Sequence, residues 1–143
     1  IWKRVQSALG IEIQRLAIEK EKHKGAFHLA GDNVRFLTAL DLSRFNVIDL
    51  DAYGVPYEQI KILFERGYRG RVFFTFIQSV MGRMPNGLLI DIGFSKVILD
   101  KAPTLCGRRG WSYFLQYLAA HGVRQITYVQ HQRKYYGYFD IVD

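Results

Sequence analysis

The sequence predicts an α/β fold, with a mostly parallel sheet, helices on both faces and a terminal antiparallel hairpin. Short apolar, β-branched segments alternate with segments whose apolar residues recur every three or four positions. Such alternation favours a parallel sheet covered by helices. The last two strand-like segments, 124–131 and 135–142, are separated only by a short turn. That hairpin adds one antiparallel strand to the sheet.

Composition limits the class of protein. The 143 residues are 49% hydrophobic and 15% aromatic, which predicts one folded domain rather than a disordered chain. The apolar runs are too short to span a membrane, and we recognise no secretory leader. Cys106 is the only cysteine, which excludes an internal disulfide and a cysteine-rich zinc site. We therefore expect a protein of the reducing cytoplasm.

The net charge is +7. A basic domain attracts polyanions without reading any sequence, so the charge indicates a nucleic-acid partner. The alternative is that the charge only keeps the domain soluble.

In the N-terminal half, local patterns predict a helix over 1–9, a strand over 11–13, a helix over 14–24, a strand over 26–31 and a central strand over 45–50. Asp32 or Asn33 is suited to cap the helix that follows the second of these strands. Pro56 opens the helix after the central strand, and Gly67 ends it.

In the C-terminal half, the pattern predicts a strand over 71–77, one helix within 87–101, a helix over 112–121, and the two hairpin strands with a turn at 132–134. The strand over 71–77 has the strongest pattern in the sequence. We find no internal repeat or linker, so the chain is expected to be one domain.

Three acidic residues stand at predicted strand ends, which are the usual ligand sites of open α/β sheets. Glu12 occupies the position at which an acid of a Rossmann-type fold binds the ribose of a nucleoside cofactor. Asp32, beside Asn33, could accept a hydrogen bond from an adenine amino group. A surface charge and a plain helix cap, respectively, are the alternatives for Glu12 and Asp32.

Asp51-Ala52-Tyr53-Gly54 directly follows the third of these strands. Methyl transfer to an exocyclic amine requires the nitrogen lone pair to be aimed at the methyl group. The Asp51 carboxylate and the Ala52 carbonyl could orient that amine, while the Tyr53 ring stacks on the base. A tight turn with a buried tyrosine is the alternative.

Residues 47–56, Val-Ile-Asp-Leu-Asp-Ala-Tyr-Gly-Val-Pro, resemble the catalytic signature of tRNA guanine-N2 dimethyltransferases, Asp-Leu-Asp-Pro-Phe/Tyr-Gly-Ser-Pro. The resemblance implies a class I S-adenosylmethionine-dependent methyltransferase with a Rossmann-like sheet. It implies that Glu12 holds the ribose, Asp32 the adenine, and that Asp51 faces the target amine. It also implies an RNA base as substrate, and thus RNA rather than DNA as the partner.

The sequence departs from that family in two places. Ala52 replaces the proline of the signature, which puts the specificity for the amine in question. No first strand with an acidic, glycine-rich cofactor loop precedes Ile1. We therefore expect residues 1–143 to be a methyltransferase-like domain that lacks its natural beginning.

Two segments combine cations with aromatic rings, as phosphate contact and base stacking require. One contains Arg108, Arg109 and Trp111, and the other contains Arg133 and Lys134 within 131–136. A solvated loop and a hairpin turn beside core tyrosines are the alternatives. The four histidines have no metal-ligand spacing.

Two other functions remain open. A non-catalytic nucleic-acid-binding domain would keep the fold and the basic surface. Asp49 and Asp51 also have the Asp-x-Asp spacing of magnesium-dependent phosphotransfer enzymes. Against the latter, Asp49 is expected to lie largely within the sheet, and the neighbourhood lacks the threonine or serine and the lysine that a phosphotransfer site usually adds.

Overall fold

The computed structural model describes residues 16–18, 27–29, 32–51, 54–78, 83–104 and 107–142. The strands are β1 (Leu16–Ile18), β2 (Phe27–Leu29), β3 (Val47–Leu50), β4 (Gly70–Ile77), β5 (Ile126–His131) and β6 (Lys134–Ile141). The helices are α1 (Asn33–Ala39), α2 (Tyr57–Glu65), α3 (Asn86–Asp91), α4 (Lys96–Lys101) and α5 (Gly110–Ala120), with short 3-10 turns at Leu42–Arg44 and Gly107–Arg109.

Four of these strands form an open, mixed sheet in the order β3-β4-β6-β5. β3 and β4 pair in parallel, whereas β6 pairs antiparallel with both β4 and β5. β5 therefore points the same way as β3 and β4, and β6 runs against all three. β1 and β2 form a separate parallel pair. A mostly parallel sheet is thus not confirmed, because two of the three pairings in the four-stranded sheet are antiparallel.

The core lies on one face of the sheet. Val72, Phe74 and Phe76 alternate along β4 and are buried, because every second side chain of a strand points to the same face. The Phe114 ring on α5 packs 5.4 Å from Phe74 and 5.0 Å from Phe76, measured between ring centroids. The Phe64 ring on α2 approaches β6 on this same face. Helices on the other face remain a prediction.

α1 and α2 lie side by side and run the same way. At their N-terminal ends, Asn33 Oδ1 accepts a hydrogen bond from Gln59 Nε2 at 3.3 Å. At their C-terminal ends, Arg66 donates to the carbonyl oxygens of Leu37 and Leu40. Because α2 follows β3 in the chain, the first turn of α1 lies at the end of the molecule where β3 delivers Asp51.

Several local predictions are confirmed. Asp32 caps α1, and its Oδ1 accepts from the amide of Val34 at 3.0 Å. The helix after the central strand ends at Gly67, whose φ of +62° is readily adopted by glycine. Pro56 stands at the N-cap of α2, one residue earlier than the first helical position that the sequence predicts.

Two predictions are wrong. Residues 16–18 form a strand, not part of a helix over 14–24, because they pair in parallel with 27–29. Residues 87–101 hold two helices rather than one. The chain turns between them at Gly93, which has a φ of +100°. The helix predicted over 1–9 and the strand over 11–13 lie outside the described residues.

Candidate functional site

The central strand delivers a carboxylate to the end of the sheet. β3 ends at the buried Leu50, and the next residue, Asp51, is exposed. Ala52 and Tyr53 lie outside the described residues. Three residues after Asp51, the Gly54 carbonyl accepts a hydrogen bond from the amide of Ile77 at 2.8 Å. The φ of Gly54 is +105°, which favours glycine at this turn. The loop after β3 is therefore fastened to the carboxyl end of β4.

The helix that follows this loop is anchored at its first residue. Tyr57 is buried, and its hydroxyl donates to Asp91 Oδ2 at 2.9 Å. Burial, and then the bond to Asp91, raises the pKa of Tyr57 above its ordinary value. A side chain at Gly87 would clash with the Tyr57 ring, since an added β-carbon would lie 2.6 Å from the hydroxyl oxygen. Tyr57 thus fixes the start of α2, and with it the loop that carries Asp51.

The candidate adenine residues lie at the start of α1. Asp32 is exposed and Asn33 is half-buried. The cap uses Oδ1 of Asp32, and the side-chain oxygen of Asn33 accepts from Gln59 on α2. The parallel arrangement of the two helices brings this turn to the same end of the molecule as the loop after β3. Glu12, the candidate ribose residue, lies outside the described residues.

The two basic segments meet at that end through Gln78, the residue directly after β4. The Gln78 backbone amide donates to the Arg133 carbonyl at 2.9 Å. Its side-chain Nε2 donates to the Arg108 carbonyl at 2.8 Å. Gln78 therefore links the hairpin turn and the 3-10 turn at 107–109 to the end of β4. The last residue of β4, Ile77, also binds Gly54. Gln78 is not among the site residues predicted from the sequence. Its position as a polar residue directly after the strongest strand is the signal that could have indicated it.

The cations at this end have no acidic partner within the described part of the chain. Arg108, Arg109, Arg133 and Lys134 are all exposed, and none of them forms an ion pair with a described residue. Residues 102–139 contain five arginines and lysines and no aspartate or glutamate. This stretch therefore carries +5 of the net charge of +7. The excess charge is concentrated in the part of the chain that forms the 3-10 turn, α5 and the hairpin.

Aromatic rings occur in the same segments as these cations. Trp111 lies in the first turn of α5 and stacks on Tyr135, with 4.1 Å between ring centroids and 12° between the ring planes. Tyr128 meets Trp111 edge-on at 4.8 Å. Tyr135 is buried, which fits the alternative that this segment is a hairpin turn beside a core tyrosine. Tyr128 and Tyr136, in contrast, are exposed.

The observations that bear on a metal site are mixed. Asp49 lies within the sheet, as expected, because it is part of β3, but it is exposed. Its side chain leaves the sheet on the face opposite the core, since Ile48 and Leu50 point toward the core. Among the described residues, no three His, Cys, Asp or Glu side chains are grouped as metal ligands.

No protein-family model matches this sequence, and no curated protein matches it significantly. No helix within the described parts of the chain is long and apolar enough to cross a membrane. The geometry at the carboxyl end of β3 and β4 is therefore the main guide to function.

Proposed function

We propose that this chain is a class I S-adenosylmethionine-dependent methyltransferase domain that modifies an exocyclic amino group of an RNA base in the cytoplasm. One observation carries the proposal. The loop after Asp51 and the two basic segments are hydrogen-bonded to consecutive residues, Ile77 and Gln78, at the end of β4. Carboxyl ends of parallel strands are where open α/β sheets bind their ligands.

The sheet supports the same proposal. The last strand of the terminal hairpin, β6, lies antiparallel between β4 and β5. A terminal hairpin that inserts one antiparallel strand into the sheet is typical of the class I methyltransferase fold. The Rossmann-like, mostly parallel sheet of that fold is part of the proposal, as is the likeness of residues 47–56 to the guanine-N2 dimethyltransferase signature.

The described residues fit the adenine end of the cofactor. Asp32 is exposed at a helix start, and the cap uses only one of its two carboxylate oxygens. The other can accept from an adenine amino group, while a backbone N–H of the same turn serves a ring nitrogen. Glu12 is the residue proposed for the ribose.

The chemistry requires orientation more than proton transfer. When bound, the cofactor would supply a sulfonium methyl group, whose S–C bond breaks to leave a thioether as the amine nitrogen forms the new N–C bond. The Asp51 carboxylate would take up the proton that the amine releases. The Asp51 carboxylate and the Ala52 carbonyl accept the two N–H bonds of the amine, so that its lone pair points at the methyl carbon. Tyr53 stacks on the base. The cations of Arg108, Arg109, Arg133 and Lys134 hold the phosphates.

Replacing Asp51 with Asn tests this role. The variant keeps the size of the side chain but presents an amide that can donate to the amine instead of accepting. We expect single-turnover methylation of RNA to slow by roughly 10²-fold, the cost of mispositioning, with cofactor affinity nearly unchanged. A variant as fast as wild type contradicts the role of Asp51.

Asp49→Asn is the matched control, since it makes the same change two residues earlier, within β3. The methyltransferase proposal predicts that this variant retains activity. An Asp-x-Asp magnesium site would need both carboxylates and would bind Mg²⁺, which an NMR titration detects. RNA binding without any methyl transfer would instead favour the non-catalytic binding domain.

A further inference from the structure

The exposed ring of Tyr128 is left unexplained by the catalytic proposal. Its exposed fraction is 45%, whereas that of its hairpin neighbour Tyr135 is 8%. The ring is not a loose surface group, because its edge-on contact with Trp111 is backed by the stacking of Trp111 on Tyr135. A ring that is already held in place loses little conformational entropy when a ligand stacks on it.

A glycine on the neighbouring strand β6 makes room for Tyr128. Gly137 on β6 pairs with Tyr128 across the hairpin. A β-carbon at Gly137 would lie 2.7 Å from the Thr127 carbonyl oxygen, 2.8 Å from the Phe74 ring and 2.9 Å from the Tyr128 β-carbon. Only glycine allows this approach, so the hairpin holds the Tyr128 side chain close against its partner strand.

The ring lies near the exposed cations of the two basic segments. β5 continues from Tyr128 to His131, and at about 3.4 Å per residue this places the turn with Arg133 roughly 10 Å away. Trp111 follows Arg108 and Arg109 by only two or three residues. One short stretch of a nucleotide chain can therefore reach both the ring and the charges.

We propose that Tyr128, backed by Trp111, is a stacking site for a base of single-stranded nucleic acid, whose phosphates lie along the cations of the hairpin turn and the 107–109 turn. The inference rests on the proposed function and deepens it by naming the form of the substrate. A ring can stack only on a base whose face is open, and in a duplex the neighbouring base pairs cover that face. Stretch 102–139, which has no acid, complements the charge of such a strand.

The test is a set of binding measurements by fluorescence anisotropy, without cofactor, on the full chain. The probes are a labelled single-stranded oligouridine and a duplex of equal length. We expect wild type to prefer the single strand. Tyr128→Ala should weaken that binding by about 5- to 150-fold, equivalent to the 1–3 kcal/mol of one base–aromatic stack. Tyr128→Phe should stay within about twofold of wild type, because stacking needs only the ring.

Tyr136→Ala is the matched control. Tyr136 lies on the same hairpin with a similar exposed fraction of 42%, but it pairs with Thr75 and Val129 on the face away from the core. It should bind like wild type. Tyr128→Leu keeps an apolar side chain against Trp111 but has no aromatic face, so it should bind as weakly as Tyr128→Ala while melting near the wild-type temperature.

Three results would overturn the stacking site. They are wild-type affinity of Tyr128→Leu, an equal loss in Tyr136→Ala, and a duplex bound as tightly as the single strand. The last two would point to a general polyanion surface or to a protein partner on the β5 edge. The binding assay contains no cofactor, so it does not depend on catalysis. If binding depends on Tyr128 but the protein transfers no methyl group in a separate assay, only the proposed function is contradicted. Methyl transfer with Tyr128-independent binding would contradict the stacking site alone.

Discussion

Arginines lie at both ends of β4, but they make different contacts at each end. At the amino end, Arg71 forms two hydrogen bonds with Asp140, at 2.8 and 2.9 Å, and lies over the Tyr138 ring at 4.6 Å. At the carboxyl end, Arg108 and Arg133 contribute backbone carbonyls to the fold, and their side chains form no ion pair with a described residue. One end uses guanidinium groups to join strands, whereas the other presents them to solvent.

A groove of about 520 Å³ lies at the amino end, between Asn46, Arg69, Arg71 and Ile141. Beside it, burial raises the pKa of Tyr68 to about 12. This groove is a concave site, yet its paired charges and strand-joining contacts indicate a structural role. Concavity at the amino end thus coincides with charges that already join strands. The exposed cations at the carboxyl end form no ion pair with a described residue, which makes them the better candidates for binding a ligand.

The largest expected effect comes from removing the charge at the carboxyl end. Replacing Arg108, Arg109, Arg133 and Lys134 with alanine should reduce the slope of log affinity against log salt by about 3, since each phosphate contact contributes about 0.7 for single strands. The same relation predicts a loss of about 100-fold in affinity near physiological salt. Titrations at several salt concentrations measure both quantities.

The matched control removes charge from the other end. Arg69→Ala with Arg71→Ala lowers the net charge by two but should leave the slope unchanged. If Arg69→Ala with Arg71→Ala changes the salt slope as much per residue as the four carboxyl-end replacements, then both ends of β4 contact RNA phosphates equally. That result would contradict the proposed difference between the two ends.

A smaller effect is expected from Gln78. Gln78→Leu removes the bond to the Arg108 carbonyl while keeping the backbone bond to Arg133. A single hydrogen bond contributes about 1 kcal/mol, so the loss of alignment should weaken RNA binding by about fivefold. Gln116→Leu, which changes an exposed glutamine on α5, should bind normally. An unaffected Gln78→Leu variant would show that the two basic segments act independently.

The smallest expected effect is at the amino end. The hydrogen bonds from Arg71 lower the pKa of Asp140 below its ordinary value of 3.8. The pair therefore contributes its full stability above about pH 3.8 and loses it as the pH falls through the lowered pKa of the folded state. Both side chains are nearly half exposed, so the contribution should stay below about 1 kcal/mol.

Urea unfolding of wild type and Asp140→Asn between about pH 2 and 7 measures this effect. The gap between the two proteins should be largest at neutral pH and should close toward the acid end. RNA affinity should be the same in both. A gap that widens in acid would contradict the assigned pair.

Local patterns correctly predict those elements whose secondary structure is determined by neighbouring residues in the sequence. β4 is rich in aromatic and β-branched residues, and Asp32 stands where a cap is needed, so both are predicted close to their observed bounds. Residues 16–18 were misassigned because three apolar residues among charges suit either structure. Their strand depends on pairing with 27–29, which no local pattern contains.

The candidate site, too, could be predicted only where the local sequence was sufficient. Asp51 and Gly54 could be placed after a strand from composition alone. The convergence at Gln78 could not, because it joins residue 78 to residues 30 and 55 positions further along the chain. Long-range contacts of this kind follow from strand order, and local sequence does not fix strand order. The exposure of Tyr128 beside the buried Tyr135 likewise depends on where α5 packs.

The most direct test of the difference between the two ends of β4 is an NMR titration of the ¹⁵N-labelled chain with single-stranded RNA, followed through backbone amide shifts. We predict that the amides of Gly54, Gln78, Arg109 and Arg133 shift together with one saturation curve, while those of Arg71 and Ile141 stay in place. Shifts confined to Arg71, Ile141 and their neighbours in the groove would contradict the account, because RNA would then bind at the end whose charges we assign to structure.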